Sequence, residues 1–225
     1  MEGIVVRRVI PSDNSCLFNA VGYVMDHDKQ KASELRQVIA ATVASDPEKY
    51  SEVFLGKTND EYCAWILNSE KWGGAIELSI LAEYYGREIA AYDIQTTRCD
   101  LYGQGNKYSE RVMLIYDGLH YDALAISPFE EAPEEFDQTI FAILPDTTVG
   151  PAEGIALNFV KDQHSFRPRS QEKEIYGHCQ LHFALWGMPD RSKRPEGGNR
   201  ACTGDRPCQL PRIQMTERHK AVGKM

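Results

Sequence analysis

The sequence lacks three features, each of which would assign it to a particular class of protein. It has six cysteines but no Cys-x-x-Cys pair, so the spacing of a zinc ribbon is absent. It has no run of about 18 apolar residues that could span a membrane. The amino-terminal stretch "MEGIVVRRVIPSDN" has no extended apolar region, so it does not predict a secretory signal. We therefore expect a protein of the cytoplasm or also the nucleus, with cysteines that are buried, metal-bound or catalytic rather than disulfide-paired.

Basic residues are scarce over most of the chain. Residues 1–166 hold 13 Lys and Arg but 27 Asp and Glu, whereas residues 167–225 hold 12 and 6, giving net charges near −14 and +6. An acidic body disfavours nucleic acid as the main partner, because phosphates require a cationic surface. It would suit a partner with a basic segment, although a charged surface can equally be only solvated.

Apolar periodicity predicts helices first and strands later along the chain. The predicted helices are Cys16–Met25, one that Ser33 caps, one opened by Asn59 or Asp60, and one that ends at Gly86. The predicted strands cover residues 5–10, 88–94, 111–116 and 120–127, with a further one at 139–144. Asp117-Gly118 predicts a hairpin turn. This order favours an α+β layered domain with a mostly antiparallel sheet flanked by helices.

Cys16 is the first residue with a pattern that suggests chemistry. It follows the polar turn Ser12-Asp13-Asn14-Ser15 and begins an apolar helix, "CLFNAVGYVM". The positive end of the helix dipole favours a thiolate there, and backbone amides of residues 13 to 16 could form an oxyanion hole. Taken alone, the same residue can be a small buried core cysteine.

His120 is the best placed of the six histidines to act as a base. It follows a tight turn at the start of a strand, and Asp122 points to the same face of that strand because it lies two residues later. Asp122 could therefore orient the imidazole, which would complete a set of nucleophile, base and orienting acid. Alone, His120 can equally be an ordinary hairpin-edge residue.

Three blocks together carry a resemblance to a known family. In order and spacing, "PSDNSCLFNAVGYVM", "WGGAIELSILAEYYGREI" and "RVMLIYDGLHYDALA" resemble the motifs of the ovarian tumour (OTU) deubiquitinating cysteine proteases, most closely the short plant members. The resemblance implies a papain-like catalytic domain over residues 1–160. It implies that Cys16 is the nucleophile and His120 the general base and later acid. Asp13 matches the acid of the family's D-x-x-C motif, and we prefer it as organiser of the turn, with Asp122 as orienter of the base.

The resemblance also implies a substrate. A deubiquitinase hydrolyses the isopeptide bond at the carboxyl terminus of ubiquitin, in protein conjugates or polyubiquitin chains, and needs no cofactor and no metal for that step. The predicted substrate-binding residues are Leu119, Tyr121, Trp72, Gly73, Gly74 and Glu77. For Trp72, an anchoring role in the core stays open. We expect a monomer that binds neither nucleic acid nor membranes.

Residues 161–225 depart from the family. Plant relatives end in a zinc finger, but this basic stretch lacks one and is predicted to be disordered. Codons can be chosen for residues 176–191 and 194–215 so that, read one base out of frame, they encode a Cys-x-x-Cys pair and a later pair of histidines. Our hypothesis is therefore that this stretch is a frameshifted remnant of a zinc finger. Under it the following residues have no selected role: Cys179, Cys202, Cys208, His178, His182 and His219. The ubiquitin-like module of animal and fungal relatives is also missing, so their link to protein quality control is not carried over.

Two other functions stay open from the sequence. One is a ubiquitin-binding module without catalysis. The other is a papain-like cysteine protease or transferase that acts on a different ubiquitin-like modifier. Only active enzymes would form a covalent adduct with an electrophilic modifier, and a panel of modifiers would tell the two active possibilities apart.

Overall fold

The computed structural model of the protein describes residues 3–165. The chain begins with strand β1 (Ile4–Arg8) and continues with helices α1 (Cys16–Asp26), α2 (Ala32–Ser45), α3 (Glu52–Leu55), α4 (Asn59–Ile66) and α5 (Ala75–Tyr85). Strands β2 (Glu88–Asp93), β3 (Arg98–Tyr102), β4 (Glu110–Tyr116), β5 (Tyr121–Ser127) and β6 (Ile140–Ala142) follow, and helix α6 (Pro151–Ser165) comes last. The predicted disordered tail and the zinc-finger remnant lie outside the described residues, except that α6 continues through residue 160 to Ser165.

The six strands form one sheet in the order β1-β5-β4-β2-β3, and β6 pairs with the start of β4. Four of the five pairings are antiparallel, and only β2 and β4 run parallel. The parallel pair arises because β3 turns back along the outer edge of β2, so that β4 enters along the inner edge in the direction of β2. The predicted α+β fold with a mostly antiparallel sheet is confirmed.

Helices cover both faces of the sheet. On one face Ile89, Val112, Leu114 and Ala123 are buried beneath residues of α1, α2, α4 and α5. On the other face Tyr92, Met113, Ile115 and Leu124 are buried with Ala156 and Val160 of α6. Successive strand residues point to opposite faces, so both sides of each central strand are apolar, as the run "RVMLIY" already suggests.

Two arginines join these layers, Arg8, which is half-buried, and Arg111, which is buried. Arg8 on β1 donates two hydrogen bonds of 2.6 and 2.7 Å to Asp137, which also accepts from the Tyr23 hydroxyl of α1 at 2.6 Å. Burial alone would raise the pKa of Asp137, but the bonds from Arg8 and Tyr23 lower it on balance. Arg111 on β4 pairs with Glu88 of β2 at 2.7 Å and with Glu153 of α6 at 3.1 Å.

Some local boundaries differ from those predicted. Helix α2 begins at Ala32, so Ser33 lies within its first turn and does not cap it. Helix α4 begins at Asn59 as predicted, but Thr58 caps it through a reciprocal pair of bonds with Glu61. Strand β3 and helices α3 and α6 were not predicted at all. Within residues 3–165, no helix has the length and apolarity needed to cross a membrane.

Candidate active site

The turn before Cys16 is closed by hydrogen bonds between its own residues. The Asp13 amide donates to the Pro11 carbonyl at 3.0 Å, and the Asp13 carboxylate accepts from the Ser15 amide at 2.8 Å. Asp13 itself is exposed. A short acidic residue that accepts from the amide two positions later is a common way to start a helix, and α1 begins directly after it at Cys16. The Asp13 carboxylate therefore closes the turn that leads into α1. Its role as organiser of the active-site turn stays a prediction.

The protonation of Cys16 differs from the sequence-based expectation. Burial of the thiol raises the pKa of Cys16 above its ordinary value, and the Asp13 and Asp122 carboxylates raise it further. Backbone hydrogen bonds from Tyr121 and Leu17 act in the opposite direction but do not offset the increase. The expectation that the helix start alone favours thiolate is thus wrong for the free protein, because desolvation disfavours the anion more strongly. Proton transfer to a base must generate the nucleophile.

His120 is placed by the turn that joins β4 to β5. The Asp117 carboxylate accepts from the amides of Leu119 and His120 at 3.0 and 2.9 Å, and the Asp117 amide donates to the His120 carbonyl at 3.1 Å. Gly118 has a φ of 103°, a left-handed conformation that side chains other than glycine rarely adopt. The predicted hairpin is confirmed, and its geometry fixes the backbone of His120.

Asp122 is buried, with 1% of its surface exposed, and it contacts three different segments. One oxygen lies 3.1 Å from Nε2 of His120 and accepts from the Ile10 amide at 2.6 Å. The other accepts from Nε of Arg7 at 2.6 Å. Because Ile10 and Arg7 already use Asp122 as an acceptor, we assign Nε2 of His120 as the donor. That tautomer leaves Nδ1 as the basic nitrogen.

The two halves of the site meet where the start of α1 lies against the start of β5. The backbone of Tyr121, the residue after His120, lies close enough to the Cys16 thiol to lower its pKa. Helix α1 packs directly on β5, and Cys16 and Tyr121 border the same core cluster. The structure thus brings Cys16 near His120 and Asp122, which lie about a hundred positions later in the sequence.

Two predicted substrate-binding residues flank the base. Leu119 is 38% exposed and lies at the tip of the turn. Tyr121 is half-buried and stacks on Tyr116, with ring centroids 4.4 Å apart. Of the two, Leu119 is the more accessible beside His120.

The predicted residues before α5 are placed differently from one another. Trp72 is half-buried and donates from its indole nitrogen to the Asn14 side chain at 2.6 Å, so it touches the nucleophile turn. A Cβ atom on Gly73 would lie 2.7 Å from the Phe18 ring, so only glycine fits there without displacing α1. The Gly74 amide donates to Glu77 at 2.7 Å.

Glu77 does not face a substrate. It is 1% exposed and accepts hydrogen bonds from the Gly74 amide and the Tyr62 hydroxyl. Burial raises the pKa of Glu77. This placement argues against the predicted substrate contact, because a side chain enclosed by the fold cannot line a channel. Glu77 instead fixes the start of α5 beneath the Trp72–Gly74 segment.

Three residues of the site were not identified from the sequence. Arg7 contacts Asp122, and Asn14 joins the nucleophile turn to Trp72 and, at 3.0 Å, to Glu70. Arg36 of α2 contacts the same turn from within the protein. Arg7 lies two residues after Val5 on strand β1, and nothing local to Arg7 or Arg36 shows what either side chain contacts. Within residues 3–165, no group of three or more His, Cys, Asp or Glu side chains could hold a metal ion.

The chain is similar to several known proteins. Residues 11–122 match the family described as "OTU-like cysteine protease". The chain is 76% identical over 167 residues to "OVARIAN TUMOR DOMAIN-containing deubiquitinating enzyme 2" of Arabidopsis thaliana, covering 74% of this chain and 80% of that protein. It is 50% identical over 157 residues to "Ubiquitin thioesterase OTU1" of Danio rerio, covering 68% of this chain and 51% of that protein.

A solved structure supports the same likeness. An OTU domain in complex with ubiquitin superposes with a TM-score of 0.59 and 28% sequence identity, covering 72% of this chain and 90% of that one. The chain thus spans most of the length of this domain and of the plant relative, but about half of the zebrafish protein.

Proposed function

The chain belongs to the family of OTU-like cysteine proteases, and we propose from this that it is a thiol-dependent deubiquitinase. Its reaction would be hydrolysis of the isopeptide bond between the carboxyl terminus of ubiquitin and a lysine of a conjugated protein or of a second ubiquitin. The observation that carries the proposal is the site itself. The Cys16 thiol is half-buried beside the backbone of Tyr121, and the preceding residue, His120, is bonded to the buried Asp122 carboxylate at 3.1 Å.

In the proposed reaction Nδ1 of His120 takes the proton of Cys16. The thiolate attacks the carbonyl carbon of the isopeptide bond and forms a tetrahedral oxyanion. His120 then returns the proton to the departing lysine amine, which leaves a thioester on Cys16. A water molecule activated by His120 hydrolyses the thioester and frees the ubiquitin carboxylate. Asp122 holds the imidazole in the required tautomer and stabilises its charge during both proton transfers.

The hydrogen bonds of the turn narrow the choice of oxyanion donors. Of the backbone amides of residues 13 to 16, those of Asp13 and Ser15 already donate within the turn. No acceptor for the amides of Asn14 and Cys16 was found among residues 3–165. We propose that the Asn14 and Cys16 amides hold the oxyanion. Because backbone amides that are already in position need no reorganisation when the negative charge develops on the oxygen, such a pair lowers the free-energy barrier to attack by the thiolate.

Ubiquitin as the substrate is supported by the names of the relatives. The Arabidopsis protein is named a deubiquitinating enzyme, the zebrafish protein a ubiquitin thioesterase, and the solved OTU domain binds ubiquitin. The acidic body of this chain suits the arginines in the carboxyl-terminal tail of ubiquitin. Of the six predicted contact residues, only Glu77 is buried, and Leu119, with 38% of its surface exposed, is the most accessible beside His120.

The test is covalent capture by a ubiquitin that carries a carboxyl-terminal electrophile. We expect a stable adduct on Cys16, identified by mass spectrometry, and none with Cys16→Ala. His120→Ala should form the adduct far more slowly, because the thiol is then without its base. A well-folded wild-type protein that binds ubiquitin but forms no adduct would instead be a binding module without catalysis. Adduct formation only with a different ubiquitin-like modifier would reassign the substrate.

A further inference from the structure

Arg36 of α2 is a buried cation without a carboxylate against its guanidinium. Only 3% of its surface is exposed, and its guanidinium lies 4.1 Å from the centroid of the Phe18 ring. Its hydrogen-bond acceptors are neutral oxygens, and they come from two segments that are distant in sequence. Burying a charge is costly unless its donors are satisfied. Here the two terminal nitrogens of Arg36 are satisfied by carbonyl and hydroxyl oxygens, whereas Nε has no hydrogen-bond partner among residues 3–165.

The first segment is the nucleophile turn. The terminal nitrogen Nη2 of Arg36 lies 3.1 Å from the Asn14 carbonyl and 3.1 Å from the Ser15 hydroxyl. The amide of the same Asn14–Ser15 peptide unit donates to Asp13 at 2.8 Å. Both polar groups of that peptide plane are therefore held. Buried Arg36 donates to the carbonyl, and exposed Asp13 accepts from the amide. A flip of the plane would break both bonds, so Arg36 and Asp13 together determine where the adjacent Asn14 and Cys16 amides point.

The second segment joins α4 to α5. Arg36 donates to the carbonyls of Ile66 at 2.9 Å and Lys71 at 2.6 Å, and also approaches those of Asn68 and Ser69 at 3.1 and 3.4 Å. Residues 66–71 lead directly into Trp72, whose indole binds Asn14. One guanidinium thus ties the turn that carries the nucleophile to the segment that carries Trp72.

We infer that Arg36 is a positioning residue that holds the Asn14–Ser15 peptide plane, and with it the Asn14 and Cys16 amides, in the orientation needed for attack by Cys16. The inference rests on the proposed thiol chemistry and deepens it. Arg36 touches neither substrate nor reacting atoms. Its planar fork reaches oxygens on both sides, which a lysine ammonium at the same position cannot do.

The experiment compares Arg36→Lys and Arg36→Met with a matched control. Arg111→Lys removes a guanidinium that is also 3% exposed, but residue 111 lies at the opposite end of β4 from the His120 turn. Turnover of a ubiquitin conjugate is measured for each variant. With Arg36→Lys we expect kcat to fall about 10²-fold, the cost of a misplaced reacting group, while KM stays within about twofold. Arg111→Lys is expected to lose stability but to keep the kcat of the wild type.

A second readout does not depend on ubiquitin. Alkylation by iodoacetamide is followed by mass spectrometry of the tryptic peptide of residues 9–29, in which Cys16 is the only cysteine. A released turn exposes the thiol, so we expect Cys16 to react several-fold faster in Arg36→Lys although kcat falls. Cys99 on β3 is the internal control, since its rate rises only if the whole fold opens.

Each outcome decides the inference. Normal kcat and normal Cys16 alkylation in a folded Arg36→Lys protein would overturn it, as would an equal loss of kcat in Arg111→Lys. If both Arg36 variants fail to fold, Ser15→Ala removes a single Arg36 contact, and a fall in kcat with faster Cys16 alkylation would support the inference. No change in either would contradict it. If the wild type has no activity on ubiquitin, the proposed function fails, and the alkylation rates still test whether Arg36 holds the turn.

Discussion

The two sides of the site are held in place by different means. The His120 side is a hairpin between two central strands, and its acid, Asp122, is 1% exposed and bonded to three segments. The Cys16 side is a turn whose acid, Asp13, is exposed and, among residues 3–165, accepts a hydrogen bond from the backbone of the turn itself. Arg36 contacts the inner side of the same turn through the Asn14 carbonyl. Two aspartates near one thiol therefore differ in role because they differ in burial.

The difference has a physical basis. A buried carboxylate that loses its partners leaves unpaired donors in a medium of low polarity, so its contacts are both strong and costly to remove. An exposed carboxylate competes with water, and its contribution is correspondingly small. His120 is thus held by one buried carboxylate, whereas the turn before Cys16 is held by several weaker bonds.

Asp122→Asn should have the largest effect on activity after loss of Cys16 itself. The amide has the same shape but cannot stabilise an imidazolium, and its donor group favours the wrong tautomer of His120. We expect kcat to fall about 10³-fold or more. Steady-state kinetics on a ubiquitin conjugate would measure it, with Asp100→Asn, on the exposed side of β3, as the matched control that keeps full activity. A fall of less than tenfold would mean that Asp122 does not orient the base.

Asp13→Ala should be less harmful than the change at Asp122. It removes the acceptor for the Ser15 amide, but Arg36 still holds the Asn14 carbonyl of the same peptide unit. We expect a loss of about 1 kcal/mol of turn stability and roughly tenfold in kcat. Asp13→Asn keeps an oxygen acceptor and should recover most of the activity. If Asp13→Ala were the more damaging substitution of the two acids, Asp13 and not Asp122 would be the third member of the triad.

The charge of Asp13 should also be visible in the pH dependence of Cys16. Burial raises the pKa of the Cys16 thiol, and the Asp13 carboxylate raises it further because a nearby anion disfavours thiolate. In the wild type, alkylation by iodoacetamide should therefore increase at a higher pH than for an ordinary thiol. Asp13→Asn removes the anion and should shift the increase to lower pH. A shift in the opposite direction would show that the carboxylate stabilises the thiolate.

Tyr62→Phe should have the smallest effect on activity. It removes the hydroxyl that donates to buried Glu77, and a lost bond to a charged buried group costs about 1–3 kcal/mol of folding free energy. Chemical denaturation would measure that loss, while kcat and KM for a ubiquitin conjugate should stay near the wild-type values. An increase in KM without a loss of stability would instead indicate that Glu77 contributes to substrate binding.

The sequence was most informative where function depends on local spacing. Asp122 lies two residues after His120, and the alternation of a strand is enough to place both on one face. The start of α1 at Cys16 followed equally from a polar turn before an apolar helix. Arg36 could not be assigned in this way, because its partners are carbonyls on segments that only the folded chain brings together.

Two of the three missed elements, strand β3 and helix α6, have related causes. Strand β3 is an edge strand with exposed Arg98 and Asp100, so it lacks the apolar character of the central strands. Helix α6 buries only Ala156 and Val160, and two apolar residues give too little periodicity to detect. An element that needs few buried side chains leaves little trace in the pattern of apolar residues.

The turn at residues 117–120 allows recognition and catalysis to change independently. Its hydrogen bonds to Leu119 and His120 use backbone amides, and the Asp117 carboxylate receives both. The identity of the side chain at position 119 therefore has no part in placing His120, although that side chain lies at the exposed tip beside it. Under the proposed function, we expect substitutions at this position to alter contact with the modifier without a compensating change at His120 or Asp122. The hairpin is thus a natural starting point for engineering or evolving new specificity on an unchanged catalytic framework.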